Sequence, residues 1–484
     1  MKSRFDVVVV GSGAGGGVVA GELAQRGRDV LLLEAGPHVT AAGFTRWEAK
    51  ANRDLWWPLR FGFLPDGDAV TFLAGRCVGG TTTVNTKVAL RAHERDLAKW
   101  HAASGLTNEH GEPFGVADLE RHYARVERVL GVRERTDWTA SVRTVEQAFR
   151  DLGAPLEAVH AYTDANCMKC GSCLQGCSTN AGKSTMNTYI ADALARGMLE
   201  LRANASVERV LVEDGAAIGV EYVDAAGARH VARAGAVVVA GGALNTPQLL
   251  LRSGLRNPAI GTNLGLHPVR LVYGRFDEPQ DAHMVYPITA HSMAHQHDED
   301  GGFVIEATTI QDPIAFATTL RDERGPFWGP RLVEAVQAFR HWSGVLAMVN
   351  DENNAAVVVD ENGDERFDVR FNETEHERLD AALAFSRSVL EAAGARQVAW
   401  TGIASTHWQG SCRMGDDPAR SAVDRNAESH EVRRLFVGDG SLVPRTLSVN
   451  PSLTIMALAS RLAEHLDADE SGYLSARAGA RAAA

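Results

Sequence analysis

The chain has 484 residues, 45% hydrophobic and 23% charged, a composition that excludes fibrous and disordered classes and leaves room for two or three domains' worth of core. Its 61 acidic and 49 basic residues give a formal charge of -12, and no Lys/Arg block could track a phosphate backbone, so nucleic acid is not expected as a partner. No uncharged run approaches the length of a membrane span, an apolar strand pattern begins by Phe5 without a leader in front of it, and only six cysteines occur, so a soluble cytoplasmic protein without a transmembrane segment is expected.

The opening "RFDVVVVGSGAGGGVVAGELAQRGRDVLLLEAG" passes from a continuous apolar run over residues 7–10 through a glycine turn to helical spacing and a second apolar run. That order predicts strand, turn, helix, strand. Gly11, Gly13 and Gly16 form G-x-G-x-x-G between strand and helix, where backbone can approach a pyrophosphate and the positive helix end faces its charge. Glu34 closes the second strand, where a carboxylate can take ribose hydroxyls. The register predicts dinucleotide binding, with FAD and NAD not separated by this motif.

Further on, "CMKCGSCLQGC" places Cys167, Cys170, Cys173 and Cys177 at C-x2-C-x2-C-x3-C. A zinc site usually draws two close pairs from separated loops, and local disulfides would strain such short loops. The spacing reproduces the bacterial ferredoxin run, although Ser178 stands where proline normally follows and only one run is present. Two readings stay open: ligands of an iron–sulfur cluster, or a cysteine-rich loop that only packs.

Hairpins are predicted at Asp214-Gly215 and near Gly227, ahead of a buried strand over 237–240, and at Asn362-Gly363 between strands 355–359 and 366–371. Asn372 is an N-cap candidate with Glu375 three residues on, Leu379, Leu383, Val389 and Leu390 form an apolar face, and Gly394 ends that helix. A last long helix spans about 451–465, before a tail "ARAGARAAA" expected to fray. No Pro/Gly/Ser linker divides the chain, so its domains are expected to interleave.

Three stretches carry a family resemblance: "GRCVGGTTTVNTKVALR" at 75–91, "GALNTPQLLLRSGL" at 242–255, and "HWQGSCRMG" followed by "LFVGDGSLVPRTLSVNPSLTIMALA" between 407 and 459. Together with the N-terminal fingerprint they resemble the glucose-methanol-choline (GMC) oxidoreductases. The resemblance implies an α/β plus α+β fold, in which a Rossmann-like FAD domain (1–95, 198–275 and 425–484) interleaves with a substrate domain built on a mostly antiparallel sheet (96–197 and 276–424), with the cysteine-rich loop at 165–180. The chain is short for such a protein, implying a trimmed roof over the flavin and an open cavity. The resemblance also implies FAD contacts from Gly79, Gly80, Thr81 and Asn85 in the first signature, and from Val207, Asp439, Gly440, Asn450 and Pro451, with Asp439 on the ribitol side. Some members attach FAD through a His at the position of Val84 here, so a non-covalent FAD is expected.

By the same resemblance His407, five residues before Cys412, is the base that takes the hydroxyl proton of an alcohol while hydride leaves for flavin N5. Asn450 is its partner, unable to act as a base but suited to holding the substrate oxygen. Asn450 also reads as an N-cap and Pro451 as the first helical residue, aiming a positive helix end at the flavin. The expected activity is oxidation of an alcohol to a carbonyl, with electrons passed to an external protein or quinone acceptor, through the cluster if one is present. The alternatives are a cluster-free oxidase using O2, a non-redox member of the hydroxynitrile lyase type, and a flavoprotein sensor. Which alcohol is used is not readable.

Three clusters stay outside this scheme. His291, His295, His297 and Asp298 lie in a polar stretch of loop character and are not expected to bind metal. Phe327, Trp328, Phe339 and Trp342 are either cavity lining or roof core, and Trp56 and Trp57 either core or cavity mouth.

Overall fold

The computed structural model describes residues 3–65, 69–308, 312–468 and 472–474. The tail "ARAGARAAA" therefore lies outside the described residues. Two sheets organise the molecule. The first runs Leu199–Ala203, Val30–Glu34, Arg4–Val10, Arg229–Val239, and along the outer edge of Arg229–Val239 lie both Leu435–Val437 and the arm Ala216–Val223, Ser206–Glu213. Its central pairs are parallel, and Val7, Val8, Val9, Leu31, Leu32, Val237, Val238 and Val239 are all buried. Continuous apolar runs of this kind belong to strands covered on both faces. Helix Ala14–Gln25 covers one face and packs against the C-terminal helix Ser452–Ala468, so the two ends of the chain share one core.

The second sheet has 13 strands among the described residues and is mostly antiparallel, as expected. Its path runs Ala356–Val359, Glu365–Asp368, Arg60–Phe63, Ala69–Phe72, Ile403–Ser405, Val269–Arg275, Trp342–Val349, Phe303–Thr308, Ala290–Ser292, Glu157–Ala158. Strands Arg60–Phe63, Ala69–Phe72 and Val269–Arg275 fall in segments expected to belong to the cofactor half, yet they hydrogen-bond into this sheet. Conversely, Trp100 and Tyr123, from a segment assigned to the substrate half, share the core of the first sheet. Tyr123 Oη lies 2.8 Å from Thr454 Oγ1 on the C-terminal helix. The halves thus exchange strands and helices more often than the expected boundaries allow.

Local predictions fare well where one residue's chemistry decides. Asp214 and Gly215 both take positive φ, 50° and 69°, between antiparallel strands Ser206–Glu213 and Ala216–Val223, as a tight hairpin requires. Asn372 caps Glu373–Ala392 through Glu375 N–H donating to its Oδ1 at 2.9 Å, and Glu375 Oε2 accepts from Asn372 N–H at 2.7 Å. Gly394 follows with φ 92°. The last helix differs by one residue. Its first turn closes on Pro451, whose carbonyl accepts from Ile455 N–H at 2.9 Å, and Asn450 does not cap it: the amide turns away, its Oδ1 without a partner and its Nδ2 3.9 Å from Met348 Sδ.

His291 is not in a loop but on strand Ala290–Ser292, buried, while His295 stacks on Phe303 with ring centroids 4.7 Å apart. Phe327, Phe339 and Trp342 pack with Phe316 and Tyr273 as roof core, and Trp328 is exposed.

Candidate active site

A cavity of about 760 Å3 opens between the two sheets. Its floor is the nucleotide fingerprint. Gly11 has φ 94°, and a Cβ there would lie 2.3 Å from Ala240 O, so only glycine fits. A Cβ on Gly16 would lie 2.0 Å from Gly11 O; this residue packs the helix onto the strand behind the wall and does not line the cavity. Gly13 is the informative one: a Cβ there meets no protein atom within 4 Å. Protein packing does not demand that glycine, but a pyrophosphate drawn to the N–H groups of helix Ala14–Gln25 would.

Glu34 is buried, accepting from Ser12 N–H at 3.0 Å and Ser12 Oγ at 2.6 Å on one oxygen and from Gly36 N–H at 2.9 Å on the other. Desolvation raises its pKa against those hydrogen bonds. Ser12 Oγ in turn accepts from Gly79 N–H at 2.9 Å. The first signature is thereby tied to the fingerprint. Gly79, with φ 90°, belongs to that tie behind the wall, while Gly80, Thr81 and Asn85 line the cavity, as do Val207, Gly440 and Pro451. Val84 also lines it and is buried, and its alkyl side chain has no atom that could form a flavin linkage.

Asp439 lines the cavity too, but its oxygens accept from Gly242 N–H (2.7 Å), Thr246 Oγ1 (2.5 Å), Ser441 N–H (2.8 Å) and Ser441 Oγ (2.6 Å). Four donors fill a carboxylate's acceptor sites. Asp439 therefore joins the second signature to the C-terminal segment and shapes the wall, rather than presenting a free acceptor to a ribitol.

At the far end His407 and Asn450 line the same cavity, under a roof formed by Val269, Leu271, Tyr273 and Leu346. His407 Nδ1 lies 3.3 Å from Nδ1 of His267. Only one of two facing nitrogens can hold the proton; donation from His407 leaves its Nε2 lone pair free to accept one. His267 is fully buried, with φ 46° and an unpartnered Nε2, a non-glycine conformation typical of functional sites. Burial pushes His407 down to about 4, and burial with the His407 charge drives His267 well below the usual histidine range. Both rings are neutral at ordinary pH. Sequence reasoning missed His267, and also Glu306, an acid set among apolar neighbours in "FVIEAT", which lines the cavity beside Asn450.

The four cysteines converge as well. Cys167, Cys170, Cys173 and Cys177 are free thiols around a second cavity of about 120 Å3. Burial raises Cys173 to about 12, and the charges of the other three add to that. Burial also works on Cys177, but hydrogen bonds from Thr179 and from Gly182 N–H (3.2 Å) bring it below the usual thiol value. Lys87 is buried behind them with φ 66°, its Nζ donating to the Thr82 and Thr83 carbonyls. The two cavities adjoin: Cys173 lines the small one, the next residue Leu174 lines the large one, and Leu174 O accepts from Trp56 Nε1 at 3.2 Å. Trp56 and Trp57 both belong to the large cavity's wall.

This arrangement has relatives. The sequence matches the GMC oxidoreductase N-terminal family profile over residues 5–269 and the C-terminal one over 359–459. The chain belongs to the GMC oxidoreductase family. Among GMC relatives, the long-chain-alcohol oxidase FAO4B of Arabidopsis thaliana is 29% identical over 95% of this chain and 66% of its own length; the chain thus spans about two thirds of that protein. The uncharacterized GMC-type oxidoreductase y4nJ of Sinorhizobium fredii is 29% identical over 96% of this chain and 95% of its own. The crystal structure of pyridoxine 4-oxidase from Mesorbium loti superimposes with a TM-score of 0.71 at 19% identity, covering 95% of this chain and 99% of that one, and confirms the GMC fold. FAD is the cofactor that the GMC family and this fold call for, and the cradle at Gly13 fits it.

Proposed function

We propose that this GMC oxidoreductase oxidises an alcohol to a carbonyl compound, with His407 as the base. The observation that carries the reading is the convergence, in one cavity, of the pyrophosphate cradle with a neutral histidine and the Asn450 amide, whose N–H can donate to a substrate oxygen. Gly13, Gly80, Thr81, Asn85, Val207, Gly440 and Pro451 would hold a non-covalent FAD, which supplies a hydride acceptor when bound. His407 takes the hydroxyl proton, and Asn450 orients the substrate oxygen. The Val269, Leu271 and Leu346 side chains exclude water above them. Anaerobic addition of alcohols should bleach the flavin; a flavin unmoved by a broad alcohol panel would favour a non-redox member.

Because burial lowers His407 to about 4, its base form persists through neutral and mildly acid pH and is lost as pH falls through that value. The rate of flavin reduction measured in a Glu306→Gln, Asp312→Asn background, which removes the two cavity carboxyls held at about 7, should stay level until pH approaches about 4 and then fall about tenfold per pH unit. A limb at the ordinary histidine value would assign the base elsewhere.

The cysteine loop extends the reading. Four free thiols around one cavity favour an iron–sulfur cluster, which would pass electrons on to a protein or quinone acceptor. Among the described residues no three His, Cys, Asp or Glu groups are placed to hold a metal ion, so this part of the reading rests on the cysteine spacing and the shared cavity. Protein purified without oxygen should contain iron and acid-labile sulfide, and Cys170→Ser should lose both while substrate still reduces the flavin. Iron-free protein that turns over with the physiological class of acceptor would leave the loop a packing element and O2 the simpler acceptor.

A further inference from the structure

His407 follows strand Ile403–Ser405 and Asn450 precedes helix Ser452–Ala468, so neither stands on a regular element that would fix its place. Backbone bonds from Gly410, Cys412 and Met414 N–H to the Gly440, Ser441 and Leu442 carbonyls lay the two segments side by side, but they stop short of both groups. Three side-chain amides span the remainder. Gln409 is fully buried; its Nε2 donates to His407 O at 3.1 Å and its Oε1 accepts from Leu447 N–H at 3.3 Å. One side chain thus ties the histidine's own carbonyl to the turn that leads into Asn450. Asn263, on the loop that carries His267, bridges the same two segments: its Nδ2 donates to Gly410 O at 3.3 Å and to Pro444 O at 3.0 Å. Asn353 closes the set, with Nδ2 donating to Asn263 O at 3.1 Å and Oδ1 accepting from Thr446 N–H at 3.1 Å and Thr446 Oγ1 at 3.0 Å.

The backbone is shaped around these amides. Asn263 and Asn353 hold φ at 59° and 55°, a left-handed conformation that non-glycine residues adopt at a cost and mostly at functional sites. Two glycines leave the room. A Cβ on Gly265 would lie 1.8 Å from Thr446 Oγ1 and 2.5 Å from Asn353 Nδ2, and one on Gly410 would lie 2.5 Å from Asn263 O. Both polar atoms of Gln409 and of Asn353 are used within the set, and none of the three residues lines the cavity, so they act on the reaction only through the groups they hold. A displacement of about 1 Å between reacting groups can cost roughly 100-fold in rate. We infer that Gln409, Asn263 and Asn353 are positioning residues that fix the separation of His407 from Asn450, so that an oxygen held by the amide presents its proton to the imidazole. This rests on the reading of His407 as the base and adds what holds it in place.

The test uses the flavin-loaded protein and follows flavin reduction by alcohol in anaerobic rapid mixing. Gln409→Met keeps the length of the side chain and removes both of its bonds. Asn353→Asp keeps the acceptor for Thr446, suits the left-handed backbone, and removes the donor to Asn263. Each variant should retain FAD, an unchanged circular dichroism spectrum and, within about threefold, its affinity for the alcohol, while the reduction step slows by about 10- to 100-fold. The deciding readout is the coupling to the base. In a His407→Ala background either change should slow reduction further by less than about threefold, because the gap that it loosens no longer leads to a proton acceptor. Should one variant fail to fold, the other decides; loss of folding in both would make the set a stability element and overturn the proposal. Reduction at the wild-type rate in the variants, or the same slowing with and without His407, would overturn it with alcohol oxidation intact. If no alcohol reduces the wild-type flavin, the alcohol reading beneath it falls instead.

Discussion

His407→Ala is expected to leave FAD bound and the fold intact while slowing flavin reduction by substrate about 100- to 10,000-fold, the usual worth of a positioned general base. The ring touches the cofactor half only through the shared cavity, and no hydrogen bond of the fingerprint depends on it. Substrate affinity should change far less than the rate. Asn450→Ala should cost less, because it removes an orienting amide but no proton acceptor. His267→Ala should fall between the two, since it frees the His407 ring to rotate and to change tautomer. Rapid-mixing spectroscopy without oxygen separates the binding and reduction steps, and wild-type reduction in the alanine variant would refute the assignment.

Gly13→Val is expected to yield folded protein that no longer retains FAD, with affinity lower by roughly 100- to 10,000-fold. The new side chain meets no protein atom at its Cβ, and the local φ of -64° suits any L-residue, so the fold should tolerate it. It would occupy the space of the pyrophosphate and displace two charge-assisted backbone hydrogen bonds, each worth about 1.5–3 kcal/mol. Gly15→Ala provides the contrast. Its Cβ would fall 1.7 Å from Gly438 O, so that change should damage folding itself. Circular dichroism together with the flavin-to-protein absorbance ratio distinguishes the two, and a Gly13→Val protein that is yellow after gel filtration would show that the cradle lies elsewhere.

Much of the cofactor half is legible along the chain because its constraints are local. A glycine that must take positive φ, an Asp-Gly hairpin and an Asn-x-x-Glu capping box each act within a few residues. The candidate base and its partner are legible only through resemblance to known motifs, since an isolated His407 carries no distinguishing neighbour. Three things escape. The exchange of strands between the halves depends on pairings such as Ile403–Ser405 with Ala69–Phe72, which no local pattern encodes. Glu306 becomes visible only when strand register decides which face looks into the cavity, and His267 only when the loop ahead of Val269–Arg275 sets it against His407. Asn450 has the right chemistry for a helix cap, yet it lines the cavity with its Oδ1 unpartnered; Asp439 spends its oxygens on Gly242, Thr246 and Ser441.

The order in which the first sheet's strands occur along the chain also matters while the protein is being made. Strand Arg4–Val10 is translated first, but its neighbour Arg229–Val239 follows more than two hundred residues later, and Leu435–Val437, which completes that edge, comes near the end. Helix Ala14–Gln25 waits equally long for Ser452–Ala468. Arg4–Val10 finds Val30–Glu34 at once, but a ribosome adding ~5–20 residues per second leaves its other edge and the helix face uncovered for tens of seconds, and such long-range closure folds slowly. Until Ser452–Ala468 has been made, the apolar face of Ala14–Gln25 lacks its partner, and exposed apolar surface of that kind favours aggregation.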